Sequence, residues 1–251
     1  MMKIIGIIPA RYGSTRFEGK PLADIHGKPM IQWVYEAAKK ALKYVLVATD
    51  DERISNLVKS FGGEVVMTSS AHETGTNRCL EAYEIYVDKT QDPFDVVINI
   101  QGDEPMLKTE QIRQLTDCFN DPETKMATLI YPVKESKELQ MQNDVYVVFT
   151  KQLEALYFSR SPIPHVRGVK PEDWPKHHQF YKHIGMYGYT PKALAEFAAM
   201  SKTSLERTEN LEQNRWLENG KQIKVAITEI RNLSVDTPED LREVKKAMRA
   251  E

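Results

Sequence analysis

The chain has 251 residues, with 34 lysines and arginines against 36 aspartates and glutamates and a formal net charge of −2. That length fits one sizeable α/β domain, or a domain with an inserted lobe, and buries most of a core without disulfide staples. The near-neutral balance argues against a nucleic-acid binder relying on its overall field, while a few local cations suffice for a phosphate site. The N-terminal apolar run stops at Pro9 and enters a charged loop without a small-residue cleavage site, so it does not read as a signal peptide. No run approaches the roughly 20 apolar residues of a membrane helix, so no membrane partner is expected. Cys79 and Cys118 stand far apart without metal-ligand spacing, which suits two reduced thiols in a cytoplasmic protein.

Residues 4–8 predict a buried strand, because apolar residues run on consecutively instead of alternating. A long loop follows over 9–27. Ile31, Val34, Tyr35, Ala38, Ala41 and Leu42 then share one face of a helix. Residues 45–48 predict a second buried strand. Thr49 and Asp50 open a helix with Ile54, Leu57, Val58 and Phe61 inward, and Gly62-Gly63 stops it. Residues 64–67 and 95–100 predict further strands, with a helix over 77–87 between them. This alternation predicts an α/β fold, a mainly parallel sheet with helices on both faces. Ligands in such sheets sit at the carboxyl ends of strands, so the chemistry is expected just after Ile8 and Ile100.

From about Met126 the pattern changes. Residues 126–133, 145–149 and 183–189 predict strands of mixed or alternating character, and the Pro- and His-containing stretch 161–179 predicts loop and lobe. A smaller β-rich lobe is therefore expected. Residues 223–227 give a late strand. A closing helix over 238–249 has Thr237 as N-cap, Pro238 in its first turn, Asp240 three residues on, and Leu241, Val244 and Met248 inward. The expected division is 1–125 as an α/β core, 126–190 as the β-rich lobe, and 191–251 returning to the core. Trp174, Trp216 and the scattered methionines read as core or interface residues.

The first strand runs into Pro9-Ala10-Arg11-Tyr12-Gly13-Ser14-Thr15-Arg16-Phe17-Glu18-Gly19-Lys20-Pro21-Leu22. Small residues, hydroxyls and three cations at a strand's carboxyl end can present backbone N–H groups and positive charge to a triphosphate. This is not a Walker loop: the Gly13-to-Gly19 spacing is one residue too long, and Pro21 replaces the Ser/Thr after the lysine. Without a G-x-G-x-x-G, a dinucleotide-binding dehydrogenase is also disfavoured. Gln101-Gly102-Asp103 follows the strand that ends at Ile100. Mg²⁺ prefers one or two carboxylates plus phosphate oxygens and waters, so Asp103 suits a metal ligand and Asp236 supplies a second carboxylate.

The opening Ile-Pro-Ala-Arg-x-x-Ser-Thr-Arg-x-x-Gly-Lys-Pro-Leu resembles the signature of CMP-Kdo synthetases (3-deoxy-manno-octulosonate cytidylyltransferases). The likeness continues through Val-Ala-Thr-Asp at 47–50, Gly-Gly-Glu-Val-Val-Met-Thr at 62–68 and Thr-Gly-Thr-Asn-Arg at 74–78. It then covers Asn-Ile-Gln-Gly-Asp-Glu-Pro at 99–105, Leu-Tyr-Phe-Ser-Arg at 156–160 and His-Ile-Gly-Met-Tyr-Gly-Tyr at 183–189. Leu-Glu-Gln at 211–213 and Val-Asp-Thr-Pro-Glu-Asp-Leu at 235–241 complete it. Each block alone is weak; in order over nearly the whole chain they are specific.

The resemblance implies a Rossmann-like nucleotidyltransferase sheet, CTP and a Kdo-type sugar acid as substrates, Mg²⁺ as cofactor, and a homodimer through the β-rich region. It implies that Asp103 and Asp236 jointly hold the metal, with Lys20 and Arg11 neutralising the triphosphate. Pro9, Ala10, Gly13, Ser14 and Gln101 fall on nucleotide-binding positions, and Thr76 and Arg78 on those that read the cytosine edge. Arg16, Gln101, His183, Tyr187, Glu212 and Gln213 match sugar-binding positions. His183 and Tyr187 are four apart on a strand and share a face. The implied reaction is attack of the sugar's anomeric 2-hydroxyl on the α-phosphorus of CTP, releasing pyrophosphate, for lipopolysaccharide biosynthesis.

Three positions depart from the family pattern. Glu18 stands where the family usually has Pro, Tyr146 where it has Lys, and Asn214 where it has an apolar residue. Tyr146 is expected to reshape the sugar end of the pocket, which opens a rival reading: a cytidylyltransferase for 8-amino-Kdo or a nonulosonic acid. A second rival is a non-catalytic paralogue that binds CTP or sugar.

Overall fold

The computed structural model describes residues 2–13, 16–140 and 144–250. In chain order the first half holds β1 (Ile4–Ala10), β2 (Asp24–Ile25), β3 (Lys28–Pro29), α1 (Met30–Ala41), β4 (Tyr44–Thr49) and α2 (Glu52–Ser60). Next come β5 (Val65–Met67), α3 (Gly75–Thr90), β6 (Val96–Asn99), α4 (Thr109–Asp117), β7 (Met126–Pro132), β8 (Tyr146–Phe149) and β9 (Ala155–Ser159). The rest is α5 (Trp174–His177), β10 (Tyr181–Tyr189), α6 (Pro191–Ala199), α7 (Ser204–Glu209), α8 (Gln213–Glu218), β11 (Lys224–Ile227) and α9 (Pro238–Ala250).

The chain divides into two compact units. The first takes Met1–Arg113, Gly188–Ala198 and Asn232–Glu251, the second Gln114–Tyr187 and Ala199–Arg231. These bounds differ from the expected 1–125, 126–190 and 191–251, chiefly because residues 199–231 go with the second unit. The reason is local bonding. β11 lies parallel to β7, the Glu209 carboxylate accepts from Ser159 Oγ and the Arg160 N–H at 2.9 Å each, and Asn214 bonds Phe158.

In the first unit β1 pairs in parallel with β4 and β6, and β4 with β5. Ile5, Ile7 and Ile8 are fully buried. A strand covered on both faces needs an unbroken apolar run, which is the pattern its sequence shows. Each such side chain contributes about 1.5–3 kcal/mol relative to exposure. The α2 helix starts two residues later than expected, because Asp51, not Thr49-Asp50, is its N-cap: the carboxylate accepts the Arg53 N–H at 2.9 Å. At α9, Thr237 Oγ1 accepts the Asp240 N–H at 3.2 Å and Asp240 Oδ2 accepts the Thr237 N–H at 2.8 Å. The same Asp240 oxygen takes the Asp236 N–H at 3.0 Å, so this reciprocal cap fixes the backbone of Asp236. Val235 and Val244 bury against Ile25 and Met30, anchoring α9 beside the β2–β3 hairpin.

The second unit carries the β-rich character. β8 runs antiparallel to β9 and to β10, and β7 lies between β10 and β11. Lys182, Ile184 and Met186 are buried on one face of β10, while His183, Gly185 and Tyr187 stand half-buried on the other. A core of Val133, Leu139, Tyr146 and Phe180 fills the buried side. Strands β2, β3 and β9 and helices α4–α7 were not anticipated.

Candidate active site

The turn after β1 carries the first cations. Gly19 sits at φ +69°, and a Cβ there would meet the Tyr12 ring at 3.1 Å, so the position favours glycine. Its N–H donates to the Tyr12 carbonyl at 2.9 Å, closing the loop and starting the single turn Lys20–Leu22. Lys20 thereby points at the residues after β6. Gly102 brings that second segment close: a Cβ would lie 3.0 Å from the Pro9 carbonyl oxygen.

Lys20 Nζ lies 2.6 Å from Asp103 Oδ2 and 3.3 Å from Asp236 Oδ1, and Arg16 Nη2 lies 3.0 Å from the same Asp236 oxygen. The Val235 N–H donates to the Asp103 carbonyl at 2.9 Å, joining the two carboxylate-bearing segments through their backbones. Both carboxylates remain open to solvent, at 26% and 36% side-chain exposure, so an incoming ligand can reach them. That two carboxylates converge on one ammonium shows that they can share a single cation. This donor set fits a hard divalent ion that completes its shell with phosphate oxygens and water. No group of three His, Cys, Asp or Glu suited to a metal occurs among the described residues.

A cleft gathers these residues. Pro9, Ala10, Arg11, Arg16 and Lys20 line it from the first loop, and Gln101, Asp103 and Asp236 from the carboxylate side. Arg78 lines it as well, but not as a solvated surface residue. It is 3% exposed, with Nη1 donating to Thr68 Oγ1 at 2.8 Å and Nη2 to Asp50 Oδ2 at 3.0 Å. Thr76 is buried nearby in sequence and Gly13 is exposed; neither lines the cleft. Ser14 lies outside the described residues.

His72, Glu73, Thr74 and Gly75 also line the cleft, and only the last two belonged to a recognised motif. Thr74 caps α3, accepting the Asn77 N–H at 3.2 Å. His72 Nε2 lies 2.5 Å from Glu81 Oε2, which also accepts the Ser69 N–H at 2.8 Å. Burial pushes Glu81 up, but the Ser69 and His72 bonds outweigh it and hold the carboxyl below its usual range. The nine-residue spacing from His72 to Glu81 bridges a loop and a helix, so no helical periodicity announces it. Glu104, beside Asp103, was also passed over: burial, with Asp103's charge adding, pushes it up to about 7 against an opposing Asn232 hydrogen bond.

The remaining expected sugar residues belong to the second unit. His183 Nε2 is 3.0 Å from Thr128 Oγ1, and its ring lies 5.1 Å from Tyr187 and 5.2 Å from Phe158. Burial pushes the His183 ring down to about 3, which keeps it neutral. Tyr187 is raised by burial and by the Glu212 charge. Glu212 pairs with Arg215 at 2.6 Å, and Arg215 Nε lies 3.2 Å from Glu206. Gln213 is 5% exposed, and its buried Nε2 has no hydrogen-bond partner among the described residues.

The three departures find places. Glu18 is exposed and lies within electrostatic reach of Arg53, whose guanidinium stacks 3.2 Å from the Tyr12 ring centre. Asn214 is fully buried, with Nδ2 donating to the Phe158 carbonyl at 2.9 Å and Oδ1 accepting the Phe158 N–H at 3.3 Å. Tyr146 corrects the expectation placed on it. Its register partner is Lys182, so it shares the buried face of β10 and not the face of His183 and Tyr187. Its hydroxyl donates to the Glu138 carbonyl at 2.8 Å, and Lys182 pairs with Asp144 and Glu138.

Comparison with known proteins sets this geometry in a family. A cytidylyltransferase family model matches residues 5–223. A 3-deoxy-manno-octulosonate cytidylyltransferase of Parabacteroides distasonis is 54% identical over 245 residues, covering 96% of each chain. One from Bacteroides thetaiotaomicron is 49% identical over 99% of each. A solved CMP:2-keto-3-deoxy-manno-octonic acid synthetase in complex with CTP superposes with a TM-score of 0.89 at 38% identity, covering 99% of both chains. A Leptospira borgpetersenii cytidylyltransferase, at TM-score 0.63 and 16% identity over 100% of this chain and 88% of its own, shares the fold. Full-length identity near one half, with the mainly parallel α/β architecture in common, means that the chain belongs to the 3-deoxy-manno-octulosonate cytidylyltransferase family.

Proposed function

We propose that the protein transfers CMP from CTP to the anomeric 2-hydroxyl of Kdo, giving CMP-Kdo and pyrophosphate for lipopolysaccharide biosynthesis. The observation that carries the reading is the convergence of Asp103 and Asp236 on Lys20 in one cleft with Arg11, Arg16 and Arg78. In the reaction the sugar oxygen forms a bond to the α-phosphorus and gives up its proton to solvent. The bond from the α-phosphorus to the bridging oxygen breaks, and its electron pair leaves on pyrophosphate.

Arg11 and Lys20 neutralise the triphosphate and orient it for in-line attack, so catalysis is mainly positioning and charge compensation. Pro9 and Ala10 bring backbone up to the phosphates, and Arg78, held rigid by Thr68 and Asp50, reads the base. Asp103 and Asp236 would hold the divalent ion, assigned as Mg²⁺, which would supply charge neutralisation and make the attacking hydroxyl more acidic.

Arg16 and Gln101 are assigned to the sugar carboxylate and hydroxyls; within the second unit, His183, Tyr187, Glu212 and Gln213 are assigned to sugar hydroxyls. The buried, unpartnered Nε2 of Gln213 supports this role, because an unmet donor is costly unless a ligand supplies the acceptor. A neutral His183 offers a hydrogen-bonding nitrogen without a charge. The reading extends to a cytoplasmic homodimer joined through the β-rich unit. No helix of the described residues is long and apolar enough to cross a membrane. Pyrophosphate release from CTP and Kdo with Mg²⁺ tests the assignment; CTP binding without release contradicts it.

A further inference from the structure

Glu104 follows Asp103 directly but does not line the cleft. Its side chain belongs to a residue 8% exposed, and its carboxylate accepts a hydrogen bond from Asn232 Nδ2. No cation pairs with it among the described residues. A buried carboxyl group without a cation is unfavourable, and the fold retains one here with a single amide partner. Asn232 stands four residues before Asp236, and its Oδ1 is buried with no partner among the described residues. The Glu104 bond alone therefore sets the orientation of that amide.

The placement of this bond gives it a purpose. The segment 103–104 bears one expected metal carboxylate, and the segment 232–236 bears the other. Two hydrogen bonds join them: Val235 N–H to the Asp103 carbonyl, and Asn232 to the Glu104 carboxylate. A single backbone bond is a pivot; a second bond several residues away removes the rotation about it. Asp240 then fixes Asp236 from the helix side.

We propose that Glu104 and Asn232 are positioning residues that hold the Asp103 and Asp236 carboxylates at the separation where both reach one cation. The inference rests on the metal-carboxylate reading given above. A carboxylate oxygen and an amide oxygen accept the same N–H, so Gln at 104 preserves the tether and Ala does not. Asn232 is only half-buried, so Asn232→Ala removes the tether with less loss of packing than Glu104→Ala.

The test is calorimetric titration of Mn²⁺ into protein with CTP and no sugar, so that no turnover occurs. Glu104→Ala and Asn232→Ala should each weaken Mn²⁺ binding about tenfold or more, with Glu104→Gln within about threefold of wild type. Without metal, amide exchange at Val235 should quicken in both alanine variants and not in Glu104→Gln. Wild-type Mn²⁺ affinity in Asn232→Ala would overturn the proposal, as would a Glu104→Gln variant as weak as Glu104→Ala. A wild-type protein that binds CTP but no Mn²⁺ would overturn the metal reading itself, and the tether with it.

Discussion

Lys20 and Asp103 are 83 residues apart, and their side chains meet at 2.6 Å. The same ammonium reaches Asp236 at 3.3 Å across 216 residues. One short loop thus gathers carboxylates from the middle and the end of the chain. Lys20→Met removes the shared cation, leaving two carboxylates facing each other in the cleft. It should lower kcat/KM by about 10²-fold or more in a pyrophosphate-release assay. Lys20→Arg should recover little, because a planar fork cannot replace a point charge between two oxygens.

Asp103→Asn and Asp236→Asn separate chemistry from folding. Each should cut kcat by at least about 10²-fold. Both side chains are partly exposed, so thermal melts should show stability changes within about 1 kcal/mol. Near-wild-type turnover in either variant would remove that residue from the metal site.

On the proposed reading, Arg78 couples stability to nucleotide binding. Its guanidinium is buried and satisfies both Thr68 and Asp50. Arg78→Leu should cost about 3–5 kcal/mol, because Asp50 is left without its partner. Arg78→Lys should fold better yet still raise KM for CTP while leaving KM for the sugar unchanged. Equal rises for both substrates would deny Arg78 its role at the base.

His183 sets an acid limit. Its folded value lies near 3, below the ordinary 6.5, so the fold favours the neutral ring. Its contribution is fully present above pH 6.5 and is lost as pH falls from there towards 3. Thermal midpoints between pH 4 and pH 7 should therefore fall less steeply for His183→Gln than for wild type. Parallel curves for the two proteins would contradict this.

Asn214 serves as a side-chain substitute for a strand partner. It meets both the N–H and the carbonyl of Phe158 at full burial. Asn214→Leu should destabilise by about 1–3 kcal/mol in urea titrations, because a larger apolar side chain leaves both backbone groups unmet. A neutral or stabilising result would show that the backbone relaxes around the change.

What was legible in the sequence follows from what each signal depends on. Strand β1 and its loop were readable because an unbroken apolar run and the glycines, cations and proline after it are local features. The α9 cap was readable for the same reason, as Thr237, Pro238 and Asp240 lie within four residues. The joint role of Asp103 and Asp236 was expected only by resemblance, and their meeting with Lys20 was not expected at all, since no spacing encodes a contact across 216 residues. Tyr146 was misjudged because the face it occupies depends on its register with Lys182, and a one-residue slip reverses it. Asn214 seemed an anomaly in an apolar position until Phe158 supplied both partners. His72 and Glu81 escaped because their bond joins a loop to a helix, where neither periodicity applies.

The most direct measurement is pyrophosphate release with Mg²⁺ from CTP, ATP or GTP, paired with Kdo, 8-amino-Kdo, Kdn and N-acetylneuraminate. The account predicts release with CTP and Kdo, none with either purine nucleotide, and loss of the signal in Asp103→Asn. Silence with Kdo while CTP still binds, or preferential release with another sugar acid, would contradict it.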